Sequence, residues 1–317
     1  MPTKRSPRKG SLQFWPRKRA KKFLPRVNWT GINSGKSLKG FICYKAGMIS
    51  AIVKDNSPDA LMKGKQITLP CTVLECPPSK IFSIRFYKDT KVVTEMLAES
   101  LDKELRRKVK LPKTKKPVSF DKMNFEDYDD VKVIIYSLVK KTKIKKRPDL
   151  VEVGISGSFD DKINFIKENL NKELSVLDFF SKDDLIDVRG LTKGKGFSGP
   201  VKRFGIKLRF SKSEKGRRKV GSIGPWHPAR VTFRVAMAGQ MGMQTRVVYN
   251  NKIVDLGKVD SETAKKINLK NYGKINSDYL IVKGSIQGSA KRQLVLTAPL
   301  RETTKTKKQS YEMVNFK

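Results

Sequence analysis

Three short runs rich in β-branched and aromatic residues, Met48–Val53, Gln66–Leu74 and Lys80–Tyr87, are separated by turn-forming sequences such as Asn56-Ser57-Pro58 and Pro77-Pro78-Ser79. That pattern predicts strands. The same texture returns over Ala229–Val235, Arg246–Val254, Asp278–Val282 and Gln293–Thr297, with glycine-containing connections between the runs. Many short strands at this spacing point to a barrel or sandwich rather than a parallel sheet. The middle of the chain reads differently. Ser100 is placed to cap a helix carrying Leu101 and Leu105, Val131–Val139 has the apolar character of a buried strand, and Ile163, Phe165, Ile166 and Leu170 recur at roughly helical spacing within Asp160–Leu170. The expected organisation is mainly β with an α+β insertion. Residues 41–87 and 181–300 form one interrupted β-barrel, and 88–180 the insertion; no internal repeat is visible.

Other stretches follow neither period. Residues 1–40 hold twelve basic residues and no acidic one. Their apolar residues Phe14, Trp15, Phe23, Leu24 and Trp29 are aperiodic, and Pro2, Pro7, Pro16 and Pro25 interrupt any regular element. The expected structure is an extended basic arm whose cations meet phosphates while its rings stack on unpaired bases. A second basic block, Arg189–Arg230, sets thirteen basic residues against Glu214 alone. Glycines recur through it from Gly190 to Gly224, allowing backbone amides to approach phosphates closely. A long loop of this composition inside a folded protein is a functional feature, and residues 193–243 are expected to leave the barrel as a basic loop. The third basic region, within Lys291–Lys317, makes 301–317 a basic carboxy-terminal tail.

Charge narrows the function. Across 317 residues the formal net charge is +39, with 69 Lys and Arg against 30 Asp and Glu. A free globular protein would repel itself at that charge, so the expected partner is a polyanion. The most apolar stretch, Val133–Val139, is far short of the roughly 20 residues of a spanning helix, and residues 1–20 contain no apolar signal region. No membrane role is expected. Cys43, Cys71 and Cys76 are too few for a disulfide framework or a four-ligand zinc site and read as buried reduced thiols. Glu126, Asp127, Asp129 and Asp130 read as a solvated acidic loop. His227 is the only histidine, and Gly194-Lys195-Gly196-Phe197-Ser198-Gly199 lacks the Lys-Ser/Thr pair of a nucleotide P-loop. With no placed acid, base or nucleophile, no enzyme, cofactor, metal or small-molecule substrate is expected.

The run from Leu191 to Gly205 (LTKGKGFSGPVKRFG), then Gly221-Ser222-Ile223-Gly224-Pro225-Trp226-His227-Pro228, then Met237-Ala238-Gly239-Gln240-Met241-Gly242, resembles the L three family of large-subunit ribosomal proteins. Arg8-Lys9-Gly10-Ser11-Leu12 with Pro16-Arg17-Lys18-Arg19-Ala20 resembles the amino-terminal arm of its archaeal and eukaryotic branch. Tyr44-Lys45-Ala46-Gly47-Met48 and the run from Tyr279 to Ile286 resemble its first and last barrel strands. The motifs stand in the family's order and span nearly the whole chain. The resemblance implies a translation-protein-type β-barrel with a long finger, a cytoplasmic place in the large ribosomal subunit among neighbouring ribosomal proteins, and rRNA binding near the 3′ domain early in assembly. It also implies a finger tip, with Trp226, close to the peptidyl transferase centre. Two positions depart from the family pattern: Phe204 stands where tryptophan is frequent, and Ile49 where threonine is usual.

Charge and resemblance together nominate an rRNA-binding set. In the arm these are Arg8, Lys9, Arg17, Lys18 and Arg19; in and beside the loop they are Lys193, Lys195, Lys202, Arg203, Arg217, Arg218, Lys219, Arg230 and Arg246. Trp226, confined between Pro225 and Pro228, is the candidate stacking ring, with His227 and Gln240 as further contacts. Two other classes compete. The net charge alone fits a DNA-compacting protein equally well, but prolines, glycines and rings among the cations suit irregular RNA better. An RNA-modifying enzyme would need an acid–base pair or cofactor pocket that the sequence does not offer.

Overall fold

The fold is given by a computed structural model that describes residues 7–33, 35–113, 125–259 and 267–316. Lys4 and Arg5 of the expected arm, Lys317 of the expected tail and the Glu126 side chain lie outside the described residues. The strands in chain order are β1 (Gly40–Asp55), β2 (Gln66–Glu75), β3 (Ser79–Lys88), β4 (Lys91–Leu97), β5 (Asp130–Ser137), β6 (Leu150–Gly154), β7 (Leu185–Leu191), β8 (Phe197–Ser198), β9 (Gly239–Gln240), β10 (Thr245–Gly257), β11 (Asn268–Leu269), β12 (Gly273–Lys274), β13 (Tyr279–Lys283), β14 (Gln293–Thr297) and β15 (Tyr311–Phe316). Two helices are used below, α1 (Phe159–Asn169) and α2 (Pro200–Phe204). The chain is mainly β, as its β-branched and aromatic runs predict. It divides into two compact units: residues 24–190 with 247–317, and residues up to 23 with 191–246.

The larger unit contains a seven-stranded sheet paired in the order β14, β7, β10, β13, β2, β1, β15, and β1 also pairs with β14. The run from β14 to β1 is thereby joined end to end. The length of β1 makes this possible: Gly40–Tyr44 pairs with β14 and Ala51–Asp55 with β15, while its other edge follows β2. An irregularity between Lys45 and Gly47 lies between those two halves, and a Cβ at Gly47 would crowd the Leu269 side chain at 3.2 Å. A second sheet has the order β4, β3, β5, β6. One continuous core joins Phe41, Leu74, Val188, Leu280 and Leu296 of the first sheet to Ile81, Ile84, Phe86, Val133 and Ile135 of the second, and takes in Ile163 and Ile166 of α1. The start of α1 is set by a capping box, in which Ser158 Oγ accepts from Asp161 N–H and the Asp161 carboxylate accepts from Ser158 N–H.

Several expectations are corrected. β3, expected beside β1 and β2 in the barrel, pairs with β4 and β5 instead. Ala229–Val235 forms no strand, because no partner edge pairs with it among the described residues. Ser100 caps nothing: a 3₁₀ turn over Lys103–Arg107 follows Asp102, with Leu105 buried. The expected tail contains β15, whose Tyr311 is buried and which pairs with β1. In the expected acidic loop, Asp130 is bonded by Lys162 at 2.7 Å and Asp129 accepts from Asp89 N–H, so these two carboxylates are engaged. Cys43, Cys71 and Cys76, by contrast, are the buried free thiols expected, and burial pushes Cys71 up to about 11. Trp29, expected as a stacking ring of the arm, is 4% exposed and belongs to the core. Two glycines make its site, since a Cβ at Gly40 would lie 2.6 Å from the indole and one at Gly154 2.8 Å from Trp29 Cβ.

Glu75 ends β2 as a fully buried carboxylate whose Oε1 accepts from Asn276 N–H, Ser277 N–H and Ser277 Oγ, while Tyr272 donates to Oε2. Burial lifts its proton affinity above the usual carboxylate range even though these bonds pull it down. The neutral isostere is therefore tolerated. Glu75→Gln is expected to retain most of the stability, its NH₂ facing a Tyr272 hydroxyl that turns to accept, whereas Glu75→Ala leaves buried donors unmatched and costs about 2–3 kcal/mol. Urea unfolding of the full chain checks this; equal midpoints for the two variants would refute it.

Candidate nucleic-acid interface

The smaller unit holds 23 basic residues and one acidic residue, Glu214. Ion pairs therefore cannot organise it. Aromatic rings and backbone carbonyls take their place. Trp15 stacks on Phe204 at 5.7 Å between ring centroids and meets the edge of Phe233 at 5.9 Å, while its indole N–H donates to Ser11 O at 2.7 Å. Both cis peptides of the described chain, Trp15–Pro16 and His227–Pro228, belong to this unit. The Arg17 guanidinium lies 4.2 Å from the Phe204 centroid and donates to Arg203 O at 2.6 Å. Arg203 donates from Nε to Gln240 O and from Nη1 to Met237 O. The Gln240 side-chain amide donates to Met241 O and Gly242 O, and Arg246 lies 4.5 Å over the Phe14 ring.

These contacts tie the arm segment to a small framework. β8 pairs with β9, Lys195 N–H donates to Met241 O and Met241 N–H to Gly196 O, and Ala20 N–H donates to Met243 O. Gly242 makes the close approach possible. It sits at φ +76°, and a Cβ there would collide with Lys193 O, so any other residue meets both strain and a backbone clash. α2 begins with Pro200 at its first turn and ends at Gly205 in the left-handed conformation, which sets Phe204 inward.

The nominated residues fall into two groups. Arg8, Lys9, Lys18, Arg19, Lys193, Lys195, Lys202, Arg217, Arg218, Lys219, Trp226, His227 and Arg230 are exposed. Arg17, Arg203, Gln240 and Arg246 are half-buried and engaged with rings and carbonyls of their own unit, so they hold its framework together as well as, for the three arginines, charging it. Burial lowers the proton affinity of Arg17, and the charges of Arg203, Arg246 and Arg8 lower it further; burial alone does so at Arg203. Crowded cations of this kind are relieved by an anion. Trp226 is 87% exposed, an indole held out to solvent. Sequence reasoning missed three further exposed rings, Phe197, Phe210 and Phe233, the first two 81% and 75% exposed. Their signal was present: aperiodic phenylalanines among glycines and cations have no core to enter. It also misjudged Trp15, whose stacked face is covered by Phe204.

No group of three or more His, Cys, Asp and Glu that could hold a metal occurs among the described residues, and none of their helices is long and apolar enough to cross a membrane. A mainly β protein with a separate unit of 23 cations and several exposed rings belongs to the class of polyanion-facing proteins. The family follows from comparison with known proteins. The whole chain, residues 1–317, matches the family Ribosomal protein L3 and belongs to it. It is 41% identical over 311 residues to the large ribosomal subunit protein uL3 of Methanocaldococcus jannaschii, covering 93% of this chain and 91% of that one. The protein of the same name from Methanococcus aeolicus is 42% identical over 310 residues, covering 93% and 91%, and that from Methanobrevibacter smithii 40% identical over 315 residues, covering 95% and 93%. The family is one of ribosomal proteins and is not named for an enzymatic activity.

Proposed function

We propose that this protein is a structural constituent of the large ribosomal subunit that binds large-subunit rRNA near its 3′ domain, early in assembly, in the cytoplasm, with neighbouring large-subunit proteins as its other partners. In this reading the six strands joined from β14 to β1 are the wall of a translation-protein-type barrel. Residues 193–243 are the finger, reaching towards the peptidyl transferase centre. The observation that carries the reading is the placement of cations and rings together, with 23 basic residues against one acidic residue in a unit that also exposes Trp226, Phe197, Phe210 and Phe233. Exposed cations neutralise phosphates whatever the sequence, and exposed rings accept unstacked bases, which duplex DNA does not offer. Arg8, Lys9, Lys18, Arg19, Lys193, Lys195, Lys202, Arg217, Arg218, Lys219 and Arg230 grip phosphates, while Trp226 stacks on a base beside His227. Arg17, Arg203, Gln240 and Arg246 shape the surface and add their field to it.

The test is crosslinking of the protein to RNA in its own cells, with the bound RNA sequenced by position. Reads are expected to concentrate in the 3′ domain and peptidyl transferase region of large-subunit rRNA. Scattered reads, or recovery of DNA, would sink the assignment.

A further inference from the structure

The basic unit contains an open cleft of about 580 Å³ lined mostly by apolar and aromatic residues. Trp15 and Pro16 form one part of the lining, and Phe233, Val235 and Met237 another. Its polar lining residues are Thr232 and Arg203. The size lies within the roughly 300–1,000 Å³ usual for sites that bind a small group. The Trp15 wall is fixed beforehand by its stacking on Phe204 and its bond to Ser11 O, so little ordering is needed when the cleft fills. Phe233 is 66% exposed and offers an open ring face, with the Arg234 guanidinium 5.8 Å from its centroid. Arg203 spends Nε and Nη1 on Gln240 O and Met237 O, and its Nη2 has no acceptor among the described residues.

We propose that this cleft receives the base of a single unpaired nucleotide drawn out of the bound RNA, stacked on Phe233. The occupant follows from two features taken together. A flat body with acceptor atoms at its edge suits an aromatic wall beside a hydroxyl and a guanidinium; the carbonyl oxygens and ring nitrogens of a base are such acceptors. The body must also be carried on a chain of negative charges, because Lys18 and Arg19 follow the lining on one segment and Arg230 and Arg234 stand beside and within it on the other, in a unit whose one carboxylate side chain is Glu214. An apolar side chain from a partner protein would fill the ring wall and leave those cations unanswered. A sequence-tolerant stack needs only the π-face, while Thr232 and Arg203 add a preference for bases with acceptors at the inserted edge. The proposal rests on the reading of the protein as an rRNA binder and adds to it a defined subsite.

The experiment uses the full chain and a large-subunit rRNA transcript. Ultraviolet crosslinking with mass spectrometry is expected to give a single-nucleotide adduct on the peptide carrying Thr232–Met237 or on that carrying Trp15. Phe233→Ala is expected to remove the adduct and weaken binding about 5- to 100-fold, and Phe233→Trp to restore both. Replacing the crosslinked nucleotide by an abasic one should produce the same weakening in the unaltered protein and none in Phe233→Ala. Transcript binding unchanged by Phe233→Ala, with no adduct in the cleft, overturns the subsite and leaves rRNA binding standing. Failure of the unaltered chain to bind the transcript overturns both. Crosslinking within intact subunits of Phe233 to a peptide of a neighbouring protein overturns the subsite in favour of a protein contact.

Discussion

Replacing Trp29 by alanine is expected to lower the unfolding free energy by about 3–5 kcal/mol, and the same replacement at Trp226 to change it by less than about 0.5 kcal/mol. The two tryptophans are chemically identical and differ only in what surrounds them. Trp29 is enclosed at a site made by Gly40 and Gly154, so its loss leaves a cavity in the larger unit that neither glycine can fill. Trp226 contributes little buried area to lose, its indole standing largely in solvent. Urea unfolding of the full chain, followed by circular dichroism, measures both. Subunits carrying Trp226→Ala are expected to assemble and to be impaired in peptidyl transfer. A Trp226 variant that unfolds as readily as the Trp29 variant would make Trp226 a core residue and remove it from the interface.

Exchange of Arg217, Arg218 and Lys219 for glutamine is expected to flatten the salt dependence of rRNA binding by about 2 to 3 in the slope of log K against log salt concentration, at 0.7–0.9 per lost phosphate contact. All three side chains are exposed. The backbone at this point is held mainly by the bonds from Arg209 N–H to Arg217 O and from Arg209 Nη2 to Val220 O, to which Arg217 Nε adds a long bond to Arg209 O at 3.5 Å. Glutamine keeps a polar side chain of similar reach, so the change isolates charge. Deleting residues 1–26 also removes cations, ten of them. That deletion additionally takes away Trp15 and Arg17, uncovering Phe204, and mixes lost charge with lost structure. A slope unchanged in the triple variant would show that this segment touches no phosphate.

What was legible in the sequence divides along physical lines. β2, β13 and β14 were readable because their β-branched and apolar runs are local signals, and so was α1, whose apolar spacing is helical. The pairing of β3 was not, since an apolar strand carries no label for the sheet it joins; only the positions of β4 and β5 decide it. β15 was hidden by its lysine-rich approach, Lys305 to Lys308, which dominates the composition of a stretch whose last residues alternate. Trp29 was misread for the opposite reason. It sits in an aperiodic, basic segment, and its burial depends on glycines 11 and 125 positions further on, Gly40 and Gly154, that make room for it. In the interface, charge announced the exposed cations directly. The engaged roles of Arg17, Arg203 and Arg246 depend on rings brought close by folding and left no local trace.

The near absence of carboxylates from the basic unit also bears on how it responds to its medium. Its internal bonds run from guanidinium to ring and from guanidinium to carbonyl, so dissolved ions take little from them. What dissolved ions do act on is the mutual repulsion of the surplus cations, which they screen. Moderate salt therefore steadies this unit while loosening its hold on a polyanion, and very dilute buffer is the condition in which the isolated protein is least at rest.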